Sequence, residues 1–113
     1  MQNKSITFKA KMWVWPGDMG WHFVSLDKEL SKIIRESYPK SAMVKVRVNI
    51  IHANGEKVFI INKKNKKEES VIWDTSLFRN KKDENYILPI KKQIRNKANI
   101  WPEEILEIKV EVL

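Results

Sequence analysis

Apolar and polar residues alternate along the first part of the chain, which is the pattern of a strand with one buried face. The five apolar positions of that face are Ile6, Phe8, Ala10, Met12 and Val14. Residues 16–20 follow, with one proline and two glycines, and indicate a loop. The aromatic and β-branched run of residues 21–26 then predicts a second strand.

A short helix is predicted next. Asp27 is a suitable N-cap, because its carboxylate can accept hydrogen bonds from the free amides of a first helical turn. Leu30, Ile33 and Ile34 fall on one side of this helix, and Pro39 cannot continue it.

The clearest local pattern is a hairpin. Residues 43–52 alternate, and their inward positions are Val44, Val46, Val48 and Ile50. Asn54-Gly55 tolerates the positive φ angles of a type I′ turn, so residues 57–62 are predicted to fold back antiparallel on the preceding strand. Residues 63–69 have no apolar periodicity and indicate a solvated loop or hairpin tip.

The rest of the chain predicts three more strands and a second helix. Residues 71–78 and 86–88 form strands separated by a polar turn over residues 79–85. Pro89 suits the first turn of a helix, where its missing donor costs nothing. The last strand has the inward positions Leu106, Ile108, Val110 and Val112.

About seven strands interrupted by two short helices, without a regular βαβ order, favour a mainly β fold of one domain over residues 1–113. We predict a small, partly open antiparallel barrel, because closing the sheet hides most strand edges and each helix can cover one end.

Composition and net charge exclude several kinds of functional site. The chain has 113 residues, a formal net charge of +8 and no cysteine. Disulfides, thiolate zinc sites and cysteine nucleophiles are thereby excluded, while phosphate-bearing partners fit the charge. No apolar run approaches the roughly 20 residues that cross a bilayer, and the N-terminus lacks a secretory h-region. We therefore expect a cytoplasmic protein without a membrane partner.

Four stretches, in this order, resemble a bacterial family. They are residues 8–13 (FKAKMW), 20–26 (GWHFVSL), 73–78 (WDTSLF) and 86–95 (YILPIKKQIR). The chain is similar to the domain-of-unknown-function family "nineteen-oh-five". This resemblance implies a double-split β-barrel and no particular reaction. The chain has Asp27 where the family usually has proline, and residues 101–104 replace a Gly-Asp turn. Residues 52–70 form a longer and more basic stretch than in compact members.

A candidate anion site lies in the second predicted helix. Lys91 and Arg95 are four residues apart, and like charges at that spacing are unfavourable by roughly 0.2–0.5 kcal/mol. A bound phosphate or carboxylate would relieve this repulsion, and so would a nearby acidic residue of the same chain. We predict that Ser76, Lys91 and Arg95 border an anion-accepting pocket, with Trp21 as a further ligand-binding residue.

The tryptophans and lysines permit other interpretations. Trp13 and Trp15 lie opposite the apolar face of their strand, where they would form a second hydrophobic layer, a dimer contact or a stacking surface for bases. A nucleic-acid backbone is the alternative ligand, bound by the cluster Lys63, Lys64, Lys66 and Lys67. A purely solvated loop would explain the same cluster.

Catalytic signals are weak. His22 and His52 lack metal-ligand spacing and an acidic partner that the sequence identifies, and Ser76 lacks a nucleophile elbow. We therefore assign no catalytic residue, metal or cofactor. The sequence favours a noncatalytic binding domain, monomeric or homodimeric, for a small anion or a protein partner, with nucleic acid as the alternative.

Overall fold

The alternating stretches form the wall of one barrel in the computed structural model, which describes residues 5–17, 19–39, 43–80, 82 and 85–113. Parts of the predicted loop at residues 16–20 and of the predicted turn at residues 79–85 lie outside the described residues. The strands are β1 (Ser5–Val14), β2 (His22–Ser25), β3 (Met43–Ala53), β4 (Glu56–Lys57), β5 (Ile60–Ile61), β6 (Glu68–Glu69), β7 (Val71–Arg79), β8 (Tyr86–Pro89) and β9 (Ile105–Val112). The helices are α1 (Lys28–Ser37) and α2 (Lys92–Ala98).

Six antiparallel strands surround the core in the order β3, β7, β8, β2, β1 and β9, and the pairing of β9 with β3 closes the barrel. The predicted antiparallel barrel with two helices is therefore confirmed. The inward residues of β3 and β9 are buried as their alternation predicts. Val14 departs from the pattern and is 42% exposed, because it is the last residue of β1.

Because neighbouring strands run antiparallel, the connections lie alternately at two ends of the barrel. Helix α1 joins β2 to β3 at one end, and α2 joins β8 to β9 at the opposite end. We call these the α1 end and the α2 end. The connection from β3 to β7 also lies at the α2 end, and we call its residues 56–70 the arm.

The predicted turn at Asn54-Gly55 is confirmed by φ angles of 52° and 83°. The returning strand is shorter than predicted, since β4 pairs with β3 only at residues 52–53. The reason is that β4 and β7 share one edge of β3. Strand β7 pairs with this edge along residues 43–50, and β9 occupies the other edge, so only the last residues of β3 are left for β4. The chain leaves the sheet and forms the separate β5–β6 hairpin.

Both helices differ in detail from the predictions. In α1, Ile34 is buried but Ile33 is 44% exposed, and Ser31 is buried because its Oγ accepts a hydrogen bond from Tyr86 N at 2.9 Å. Pro89 is not in the first turn of α2. It ends β8 opposite Phe23 of β2, and its nitrogen faces the other side of β8, where pairing with β7 has already stopped at Ile87. Its missing donor therefore breaks no ladder bond.

Candidate binding site

Helix α2 has local stabilising signals at its C-terminus, where Asn99 is a left-handed C-cap, but none at its N-terminus. Its N-cap residue is Lys91, which makes no side-chain capping bond, and its first turn contains no acidic residue. Ile94 and Ala98 pack against the core, and the flanking residues Ile90 and Ile100 are buried. The helix therefore stays in place while its polar side chains remain available to a ligand.

Arg95 is a cation at the α2 end whose side chain makes two hydrogen bonds. Its Nε donates to Ile90 O at 3.1 Å, and its Nη1 lies 3.1 Å from His22 Nε2. His22 Nδ1 lies 2.6 Å from Gly20 O, and a carbonyl oxygen can only accept, so Nδ1 carries the proton and Nε2 accepts from Arg95. Burial lowers the pKa of the Arg95 guanidinium. Among the described residues, the partners of the Arg95 guanidinium are both neutral, and it forms no ion pair with a carboxylate.

The structure brings together two of the four predicted ligand residues. Lys91 O accepts from Arg95 N at 3.0 Å, and the Lys91 side chain is exposed beside the start of α2. Trp21 stacks on Phe23 with ring centroids 6.2 Å apart, which places it on the outer face of β2, away from the inward-facing His22. Ser76 lies on β7 opposite Lys45. No described hydrogen bond, ion pair or ring contact joins Trp21 or Ser76 to Arg95.

The outer face of the β1–β2 hairpin carries an aromatic cluster. Its rings are those of Trp13, Trp15, Trp21 and Phe23, with neighbouring centroids between 5.2 and 6.2 Å apart. Trp13 Nε1 donates to Ser25 Oγ at 2.9 Å. Phe23 is buried in the cluster, whereas Trp15 and Trp21 are about half exposed. A buried Phe23 under two half-exposed tryptophans fits a second hydrophobic layer, a dimer contact and a stacking surface alike, so all three interpretations stay predictions.

A cleft of about 900 Å³ separates the arm from the C-terminal end of α2. Trp101 lies in its wall and is held by two hydrogen bonds, from its amide to Glu104 Oε1 at 2.6 Å and from its Nε1 to Asn99 Oδ1 at 3.0 Å. The ring is nevertheless 64% exposed. The sequence marked residues 101–104 only as a departure from the family, and no local pattern predicted this cleft.

The predicted lysine cluster forms the tip of the arm. Lys63, Lys64, Lys66 and Lys67 are all exposed, as expected for a hairpin tip. The turn is ordered by two asparagine side chains: Asn62 Oδ1 accepts from Lys64 N at 2.9 Å, and Asn65 Oδ1 accepts from Lys67 N at 3.0 Å. Lys63 also lines the cleft. The tip and the cleft are therefore parts of one continuous surface.

His52 has an acidic partner that its sequence context did not reveal. Its Nδ1 lies 2.6 Å from Glu107 Oε1, beside a bulge in the β3–β9 pairing. A depression of about 710 Å³ next to this pair is also lined by Lys9.

Within the described part of the chain, no three His, Asp or Glu side chains are grouped closely enough to hold a metal ion. Neither described helix is both long and apolar enough to cross a bilayer.

Comparison with known proteins identifies a family but no activity. No curated protein matches the sequence. A family model described as Domain of unknown function (DUF1905) matches residues 8–69 and 67–110, and the two matches overlap within the arm. Since these matches span nearly the whole chain, the protein belongs to the DUF1905 family.

Proposed function

We propose that this domain is a noncatalytic binding module for a small anionic ligand, and that Arg95 is the charge that holds the ligand. The observation that carries this proposal is the environment of its guanidinium. Arg95 is half-buried and hydrogen-bonded to two neutral acceptors, Ile90 O and His22 Nε2, so its positive charge has no counterion among the described residues.

Position favours Arg95 over the lysines around it. Two unit charges 4 Å apart attract by about 4 kcal/mol at an effective dielectric constant near 20, but by only about 1 kcal/mol in bulk water. Lys91 and Lys92 are exposed and belong to the second case. Arg95 is also fixed in place, so less side-chain freedom is lost when an anion binds. Lys91, one helical turn away, adds a weaker attraction.

The same contacts support a binding role rather than a catalytic one. Both ring nitrogens of His22 are engaged, Nδ1 by Gly20 O and Nε2 by Arg95. A general base needs a free nitrogen within hydrogen-bonding reach of the proton that it removes. In this arrangement, His22 instead orients Arg95.

The test is a titration of the 15N-labelled protein with inorganic phosphate, pyrophosphate and mononucleotides, followed by NMR. We expect saturable shifts at Arg95 Nε and the His22 ring. Arg95→Met should weaken binding about tenfold or more, since hydrogen bonds to charged groups contribute about 1.5–3 kcal/mol.

Arg47→Met is the matched control, because it removes the same charge from an arginine already bonded to Asp74 at 2.8 Å. Equal weakening by both substitutions would show that only net charge matters and would refute the proposal. An absence of shifts at millimolar ligand would also refute it.

A further inference from the structure

We infer that the arm and the cleft beside it form a second binding surface, for single-stranded nucleic acid. This surface uses residues other than Arg95 and is independent of the small-anion site. Two physical features of the α2 end support it: a cationic tip suited to phosphates, and an exposed tryptophan in the wall of the neighbouring cleft, suited to stacking on a base.

The phosphate-binding part is the tip of the arm. Lys63, Lys64, Lys66 and Lys67 carry four positive charges within five residues, and none has a carboxylate partner among the described residues. The described ion pair of the arm joins Lys57 to Glu68 at 3.7 Å and involves none of the four tip lysines. The charges of the tip are therefore available to neutralise phosphates and release their counterions.

The base-binding part is Trp101. An exposed aromatic ring usually loses rotamer freedom when a ligand stacks on it, but the Trp101 ring already donates a hydrogen bond from Nε1 to Asn99 Oδ1. Stacking of one base on an aromatic side chain contributes about 1–3 kcal/mol. Phe59 lines the same cleft and supplies a second aromatic ring.

The cleft and the tip of the arm differ in their charge. The cleft is lined by three lysines and three glutamates, namely Lys57, Lys63, Lys97, Glu56, Glu69 and Glu104. This balanced lining suits an uncharged base better than a phosphate, whereas the tip carries only positive charge. Lys63 belongs to both parts, so one strand can place a phosphate at the tip and its neighbouring base on Trp101.

The position of Trp101 in the cleft wall, beside the tip of the arm, also favours one kind of polyanion over others. In a duplex the bases are stacked on one another and cannot enter a cleft between the arm and α2. A bilayer would require apolar side chains that protrude beyond the lysines, whereas Trp101 lies in the wall of the cleft. A single strand presents unstacked bases and phosphates together.

Fluorescence anisotropy with a labelled ten-nucleotide oligothymidylate tests the inference, with the matching duplex and phosphatidylserine vesicles as competitors. We expect saturable binding to the single strand, weaker binding to the duplex and a linear decrease of log K with log salt. Replacing one lysine that neutralises a phosphate should flatten this slope by about 0.7. The double substitution Lys63→Gln and Lys64→Gln should therefore flatten it by about 1.4.

Lys28→Gln with Lys32→Gln is the matched control, because it removes two exposed charges from the α1 end. Trp101→Ala should weaken binding about tenfold, Trp101→Phe should retain most of it, and Trp21→Ala should leave it unchanged. Arg95→Met should also leave it unchanged, which separates this surface from the small-anion site.

Three results would overturn the inference: equal weakening by the two lysine pairs, tighter binding to the duplex, or competition by vesicles without any binding to the oligonucleotide. Thermal unfolding of each variant checks that it remains folded. Since Trp101 and the tip lysines are exposed, we expect the unfolding midpoints to stay within a few degrees of the unsubstituted protein.

Discussion

The two ends of the barrel are closed by helices of different construction. Helix α1 has ten residues, and Asp27 caps it by accepting from Leu30 N at 2.7 Å. It buries Ile34 and Ser31 against the barrel. Helix α2 has seven residues, no side-chain cap and no fully buried residue. Helix α1 therefore begins with a side-chain cap, whereas α2 is capped only at its C-terminus, by Asn99, and depends more on packing by its flanking residues.

This difference between the helices coincides with the location of both proposed binding sites, which lie at the α2 end. The α2 end contains features that local stability rules disfavour: a helix that begins at a lysine without a side-chain capping bond, an arginine without a counterion among the described residues, and a well-exposed tryptophan. Natural proteins tend to concentrate such departures at functional sites. The α1 end has a capped helix and a buried serine whose Oγ is hydrogen-bonded, and we expect it to act as the stable base of the domain.

The largest expected effect is on the free energy of unfolding, when one isoleucine of each helix is replaced by alanine. Ile34→Ala should lower the free energy of unfolding by about 2–5 kcal/mol, because it leaves a cavity at a buried site. Ile94→Ala should lower it by less, since Ile94 is only partly buried and its surroundings can relax. Urea unfolding measures both. Equal decreases would show that the two ends contribute alike and would contradict the comparison.

Substitutions at the N-cap residues of the two helices should change the free energy of unfolding by a smaller amount. Asp27→Ala removes the cap of α1 and should cost about 1 kcal/mol of unfolding free energy. Lys91→Asp should act in the opposite direction and stabilise α2 by about 0.5–1 kcal/mol, because Lys91 already has the extended backbone of an N-cap, with φ −61° and ψ 148°. Thermal unfolding of the two variants provides the measurement. A loss of stability in Lys91→Asp would mean that Lys91 has a structural role.

The smallest expected effect lies in the barrel wall, away from both ends. The hydrogen bond from Arg47 lowers the pKa of Asp74 below its ordinary value of 3.8, and the same bond raises the pKa of Arg47. A lowered pKa in the folded state means that the pair stabilises the protein above about pH 4 and that this contribution disappears as the pH falls through the lowered pKa.

Comparison of the original protein with Asp74→Asn by urea unfolding at several pH values tests this. The difference between the two should be small near neutral pH, because both side chains are exposed, and should vanish in acid. A difference that grows as the pH falls would contradict the assigned sign. Asp74→Asn should change neither the proposed binding of small anions nor the proposed binding of single-stranded nucleic acid, since Asp74 lies outside both sites.

Much of the local structure could be predicted because it depends on neighbours in sequence. The alternation of β3, the cap at Asp27 and the turn at Asn54-Gly55 each follow from a few adjacent residues. The candidate sites were less predictable. Arg95 and Lys91 were identified from their spacing, but the contact of Arg95 with His22 joins residues 73 positions apart.

Local periodicity and backbone preference were enough to specify most strands and both helices, the buried face of the long strands, and the position of the lysine tip. Three other features depend on how the chain folds in space: β9 closes the barrel on β3, Ser31 of α1 meets the amide of Tyr86, and the arm faces Trp101 across a cleft. Strand order and register bring those groups together, and a pattern read over a few neighbouring residues contains no information about which distant strand will be the partner.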